Sequence, residues 1–339
     1  MLQKLAELTV SPVMRSQALD VFTYFARSSS ELFGARTTKI EWSPDDGWLP
    51  INPSICLEER RLSVVRTVNY FMSKWKPLTL DGFRNLRTRS YVVELDANWS
   101  VKSATEIRDA TGILACDDGF RAHGFEDLRL VRNADGSYWA SGSLRNLLPG
   151  TDHGDPYGSS EMGCLYFDEA WNVVDVKVIR DYEAHLLQKN WMPVSGSSGL
   201  FLYTCDPTIA VSVNGVRTVE VARHETPVCL TDIRGGSQLV KFGAGYLCLA
   251  HEVAYRENER FYLHRFIRFD SDFRITSVSE PFYFARLDGI EFCAGLGWDG
   301  DQLVASFGMN EGGSAHLTFF EPNRVEIAME PLGEKRKHA

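Results

Sequence analysis

The chain has 339 residues, a net charge of −9 at neutral pH, and a composition that is 44% hydrophobic and 24% charged. That acidic balance argues against a general nucleic-acid binder, because phosphate backbones need a basic surface, but it leaves room for a local anion site. No apolar run approaches the ~20 residues of a membrane-spanning helix, and the opening "MLQKLAELTVSPVMRSQ" has no secretory core, so neither a membrane span nor a leader is expected.

Residues 1–38 read as a helical segment, because "QALDVFTYFARSSSELF" places apolar residues at helical spacing. Residues 39–325 change texture. Short β-branched and aromatic runs alternate with Gly, Asp, Asn and Pro turns, which predicts an all-β domain. A three-strand passage recurs along it. It runs "INPSI", "RLSVVRTVNY", "YVVELDANW"; then "GFEDLRLV", "SYWASGSLRN", "CLYFDEAWN"; then "QKNWMPV", "GLFLYTCDP", "IAVSVNG". It continues "IRGGSQLV", "GYLCLAHEV", "HRFIRFDSDF"; and ends "GIEFCAGL", "QLVASFGMN", "HLTFFEPN". Five such units predict a five-bladed β-propeller, a catalytic domain preferred over a two-sheet sandwich of similar strand number. "RDATGILACDDGFRA" and "LPGTDHGDPYGSSEM" read as insertions between strands, and residues 326–339 as a solvated tail. The seven cysteines are scattered without a CxxC pair. The expectation is reduced thiols in a cytoplasmic protein, with no metal and no cofactor.

In a propeller the first strand of each unit lines the axis. The leading strands would bring Asn52, Glu126 and Asp127, Lys189 and Asn190, Arg234, and Glu291 to one mouth. The second strands end in another polar set: Arg66 and Asn69, Arg145 and Asn146, Asp206, His251 and Glu252, and Asn310. Charges in "HGFEDLRL" are therefore expected on the wall of a pocket rather than in a core. Carboxylates there suit proton transfer at a glycosidic bond, while Lys189, Arg66, Arg234 and His251 suit an anion. Trp191, Tyr70 and Tyr203 are candidates to stack on sugar rings, against the plainer reading of ordinary packing. "RGGSQ" lacks a phosphate-loop pattern and "HEVAY" is not a zinc motif.

These residues resemble a known family. "NPSI…VVRTVNY", "GFEDLRL", "KNWMPV", "AHEVAY" and "FCAGL…LVASFGMN" are similar, in the same order, to the β-mannoside phosphorylases of glycoside hydrolase family 130 and to related propeller mannosyltransferases. "EDLR" resembles that family's Glu-Asp-Pro-Arg signature. The resemblance implies that Asp127 is the general acid, working through a proton relay across the sugar while phosphate attacks with inversion. The family's first-blade Arg corresponds to Arg66, and together with the strand-end reading the expected sugar-binding set is Asn52, Arg66, Asn69, Glu126, Arg129, Asn190, Trp191, Glu291 and Asn310. The resemblance also implies that Lys189 and His251 hold phosphate; "IRGGSQ" departs from the family's blade-four entry, and Arg234 is expected to restore a positive charge and complete the anion set. Leu128 replaces the signature proline, Asp206 stands where a phosphate-binding arginine is usual, and Asn310 stands where an Asp is usual. The expected partner is an oligosaccharide or sugar acceptor. The co-substrate is inorganic phosphate, a sugar phosphate or a nucleotide sugar, and a homo-oligomer is open to the chain as it is to the family. A nucleotide-sugar-dependent transferase, a glycoside hydrolase, a non-catalytic carbohydrate-binding propeller and a protein-interaction propeller stand as alternatives.

Overall fold

The computed structural model describes residues 26–331 except 74–75, 81–85, 115–122, 146–159, 181, 183–187, 216, 227–229, 231–232, 257–258, 288 and 311. Most of the two expected insertions, and residues 1–25 of the expected helical segment, lie outside the described residues.

The β-branched runs become strands, and consecutive strands pair antiparallel through tight turns. The first sheet holds Leu49–Cys56, Arg61–Val68, Thr88–Leu95 and Val101–Glu106. The second holds Gly124–Arg132, Tyr138–Arg145, Ser160–Phe167 and Asn172–Ile179, with Arg108–Asp109 added at its edge. The third holds Met192–Pro193, Leu200–Cys205, Thr208–Asn214 and Arg217–His224. The fourth is built on the long hairpin Gly245–Arg256 and Glu259–Phe269, flanked by Ile233–Arg234, Val240–Phe242 and Ile275–Ser279. The fifth holds Glu291–Asp299, Gln302–Met309 and Ser314–Phe320, and its outer strand is Arg36–Lys39. A separate hairpin, Tyr70–Ser73 with Lys76–Thr79, rises from the first sheet.

Each sheet buries both faces against a neighbour. Leu62 and Val64 of the first sheet meet Leu130 and Leu144 of the second. Trp139 and Met162 of the second meet Trp191 and Phe201 of the third. Leu202 and Ala210 of the third meet Cys248 and Ile267 of the fourth. Phe266 and Leu249 of the fourth meet Phe307 and Leu296 of the fifth. The series then returns to its start, where Val304 and Leu317 of the fifth pack on Ile55 and Val65 of the first. The result is an all-β, propeller-like arrangement with little helix.

Two expectations at the edges change. Ser29–Phe33 is helical, with a Ser28–Glu31 capping box, but Arg36–Lys39 is a strand and not part of a helix. It pairs with Ser314–Phe320, and Thr37 and Thr318 share a hydroxyl hydrogen bond of 2.8 Å. Met329–Pro331, placed in the tail by sequence, pairs with Ile275–Ser279. Among the described residues no helix is long and apolar enough to cross a membrane.

Candidate active site

The leading strands of the first, second and fifth sheets share one local feature, a break in register. Pairing slips between Ile51 and Ser54, between Glu126 and Arg129, and between Cys293 and Gly295. A bulge of this kind adds a residue, bends the strand and re-aims a side chain. Asn52 and Asp127 sit in two of the bulges, and Asn190 precedes the third sheet's first strand. All three have left-handed backbone, with φ of 46°, 54° and 61°. Asn and Asp tolerate this region better than other non-glycine residues. The fourth sheet has a glycine, Gly235, directly after Ile233–Arg234. A Cβ on Gly235 would lie 1.9 Å from the Asn190 carbonyl oxygen, so only glycine lets the third and fourth sheets close here.

The bulges aim their side chains at one another. Asp127 Oδ1 accepts from Asn52 Nδ2 at 2.9 Å and from Arg66 Nη1 at 2.9 Å. Arg66 is held on its other sides, donating from Nε to Thr88 Oγ1 at 2.8 Å and from Nη2 to the Tyr70 hydroxyl at 3.0 Å. Glu126 meets Arg66 Nη1 at 3.3 Å, Arg145 Nε at 3.2 Å and Lys189 Nζ at 3.6 Å. Burial alone would raise the Glu126 carboxyl, but Arg66, Lys189 and Arg145 outweigh it and hold the group well below the usual carboxylate range. Burial lowers the Lys189 ammonium, opposed by the same Glu126. The Tyr70 phenol is pushed up, first by burial.

The side chains of Glu126 and Asp127 keep 14% and 13% of their surface exposed, enough to face a ligand. Lys189 is more open, and Arg234 is exposed on the strand beside His251. Asn310 and Asn52 each carry a buried Oδ1 with no hydrogen-bond partner among the described residues. The Asn52 oxygen lies over Gly308 of the fifth sheet, where a side chain would collide with it. Asn52, Arg66, Glu126, Asp127, Lys189 and Asn190 are thus brought together by the first three sheets.

Other expected site residues do different work. Trp191 is fully buried, donates to Gln188 Oε1 at 3.0 Å, and meets Tyr182, Phe201 and Tyr203 edge-on, so it has no open face for a sugar ring. Glu291 has both carboxylate oxygens occupied by the backbone N–H groups of Phe284, Ala285 and Arg286, at 2.6 to 2.8 Å. Asn69 is buried and accepts from the Arg87 backbone at 2.8 Å, fixing the return to the next strand. Arg129 is buried as a tie between sheets, donating to Gly236 O at 2.6 Å and to Asp127 O at 3.2 Å. Burial brings its guanidinium down to about 10, with Asp127 opposing, so it stays charged at neutral pH. Its Nη2 lies 3.5 Å from Asn190 Oδ1.

His251 is buried and stacked on Tyr262, with the Phe292 edge on its other side. Burial first, and then His264, Arg234 and Arg129, hold its imidazole well below 6.5. It therefore presents a neutral ring rather than a cation. Asp206 lies away from the cluster, accepting from the Thr226 hydroxyl and from Leu230 N. Leu128 fills the space over Gly142 in the core between the first and second sheets. Tyr70 and Arg145, weighed in the sequence only as a stacking ring and as a rim residue, prove to be direct partners of Arg66 and Glu126.

No family model matches the sequence, and no curated protein matches it. Solved structures do resemble it. A glycosyl hydrolase from Bacteroides ovatus gives a TM-score of 0.59 at 12% identity, over 84% of this chain and 87% of that one. A structure from the GH130 family of mannoside phosphorylases, which contains glycoside hydrolases that target β-1,2 mannosidic linkages in Candida mannan, gives 0.58 at 13% identity over 84% and 87%. The β-1,2-mannobiose phosphorylase of Listeria innocua, solved with β-1,2-mannobiose, gives 0.54 at 12% identity over 89% and 98%. At such identities the likeness establishes the fold. This chain has the propeller architecture of the mannoside phosphorylases and related glycosyl hydrolases, in agreement with the resemblance in its motifs.

Proposed function

We propose that this chain is a five-bladed propeller enzyme that transfers glycosyl groups with inversion, by phosphorolysis or synthesis of β-mannoside-type linkages. The observation that carries the reading is the Asp127 carboxylate, placed by a bulge where the sheets meet and fixed by Asn52 and Arg66. In phosphorolysis a phosphate oxygen forms a bond to the anomeric carbon as the glycosidic C–O bond breaks on the opposite face. The leaving oxygen takes a proton that originates on Asp127. In synthesis the steps reverse: the acceptor hydroxyl attacks, phosphate departs, and Asp127 receives the proton. Arg66 and Asn52 hold the carboxylate in place for both directions, and Lys189 and Arg234 supply positive charge for the anion.

Two features favour an anionic co-substrate over water. An inverting hydrolase needs a second carboxylate, roughly 6.5–9.5 Å from the first, to activate water. The sequence candidate for that base, Glu291, is instead engaged by three backbone N–H groups. The cations Arg66, Arg145 and Lys189 gather around Glu126, the residue before Asp127, which suits a phosphoryl group.

The test is product detection by mass spectrometry with α-mannose 1-phosphate, other sugar 1-phosphates and nucleotide sugars, each with mixed acceptor sugars. Product from a sugar 1-phosphate is expected, falling by about 10²- to 10⁴-fold in Asp127→Asn. Product from nucleotide sugars alone would make the protein a transferase. Saturable sugar binding with no product from any donor would leave a carbohydrate-binding propeller.

A further inference from the structure

Glu126 does something that proton transfer at Asp127 does not require. Its one carboxylate is the meeting point of three cations from different parts of the fold: Arg66 in the first sheet, Arg145 in the second, and Lys189 leading into the third. The two arginine side chains are sealed, at 7% and 3% exposure, but Lys189 is 36% exposed. A group arriving from solution can reach the lysine, and the arginines lie directly behind it. Among the described residues, Glu126 is the carboxylate within ion-pair distance of Lys189, and the 3.6 Å separation is loose for such a pair. The side chain thus occupies the place where an arriving phosphoryl group would find its charge partners, and it makes contacts of the kind that such a group would make.

We infer that Glu126 is the built-in counter-ion of this site, a specificity-setting residue that competes with an anionic co-substrate for Lys189 and sets how tightly the anion binds. The inference rests on the reading that a phosphoryl-bearing co-substrate enters this pocket. With the pocket empty, Glu126 keeps three gathered cations from destabilising the fold. When the anion enters, it takes over Lys189, and Glu126 remains with Arg66 and Arg145. Removing the charge should therefore strengthen anion binding, the opposite of what loss of an ordinary binding residue does.

The experiment compares the parent protein with Glu126→Gln, Lys189→Gln and the double variant. Inorganic phosphate and α-mannose 1-phosphate are titrated by calorimetry and by thermal unfolding, at fixed ionic strength, with potassium chloride as the comparison salt. Glu126→Gln should bind phosphate roughly tenfold or more tightly, the effect of one charge-assisted hydrogen bond gained. Its unfolding midpoint should be low in chloride and rise with phosphate more steeply than the parent's. The gain should vanish in the double variant. A gain for both ligands identifies the phosphoryl group as what is recognised, and a gain for the sugar phosphate alone places the sugar in the same site; both support the inference. Binding of both ligands no tighter than the parent's would overturn it, as would a gain that survives loss of Lys189. Failure of Glu126→Gln to fold in either salt would also count against it, because the anion would then be unable to replace the carboxylate. These readouts need no turnover. A protein that shows this binding pattern but makes no product would sink the proposed reaction and leave the counter-ion standing.

Discussion

His264 shows how far burial alone can move a group beside this site. It pairs across the strands with His251, lies against Phe282 and Phe284, and is fully buried. Burial takes its imidazole from 6.5 down to about 3, so the folded chain keeps neutral a ring that the unfolded chain protonates. That contribution to stability is complete above pH 6.5 and is lost as the pH falls toward about 3, on the order of 1 kcal/mol per pH unit. Urea denaturation across this window should show stability declining with acid, and His264→Phe, which keeps a ring against its aromatic neighbours, should flatten the decline. A slope unchanged by the substitution would show that other groups carry it. Glu126 adds to the same trend at lower pH. Its folded-state value lies below the ordinary 4.5, so its stabilisation is present above 4.5 and drains away below it.

At the scale of the strand, the bulge decides which side chains face the axis. Gly235 makes the close approach of the third and fourth sheets testable, since a Cβ there has no room beside the Asn190 carbonyl. Gly235→Ala should cost about 3 kcal/mol through backbone displacement between the third and fourth sheets. Chemical denaturation would measure it, and a midpoint equal to the parent's would mean that the contact yields. The sequence made much of this legible. In most of the recurring passages, "INPSI", "GFEDLRLV" and "GIEFCAGL" among them, the quoted runs fall on observed strands, because short, near-continuous runs of apolar and β-branched residues mark a strand buried on both faces. The outer strands Val101–Glu106 and Arg217–His224 were missed. They are largely exposed edges: "VKSATE" carries few apolar residues, and in "RTVEVARH" Val219 and Val221 face solvent. The site was legible in part. Asn52, Arg66, Glu126, Asp127 and Lys189 converge as their positions at strand ends suggested. Trp191 and Glu291 do not, because residue type cannot reveal whether a side chain turns toward the axis or into the adjoining core.

Over the whole molecule, closure depends on residues 27–39. Arg27–Ser28 pairs with Phe282–Tyr283 in the fourth sheet, and Arg36–Lys39 completes the fifth. Between them the short helix drives Phe33 into the rings of Phe266, Phe282 and Phe320, with centroids 5.0 to 5.6 Å apart. Phe33→Ala should therefore destabilise the fold by about 3–5 kcal/mol and lower its thermal midpoint, although Phe33 is far from Asp127 in sequence. A loss below about 1 kcal/mol would show that the strand pairings hold the closure without the ring. This stitching also imposes an order on biosynthesis. The ribosome releases Arg36–Lys39 long before its partner Ser314–Phe320, so the nascent protein carries an unmatched strand edge while all the intervening sheets are made. The edge is four residues long and is bounded by Arg36 and Lys39, both exposed. Brevity and flanking positive charge are what keep such an edge from capturing a neighbouring chain during the wait.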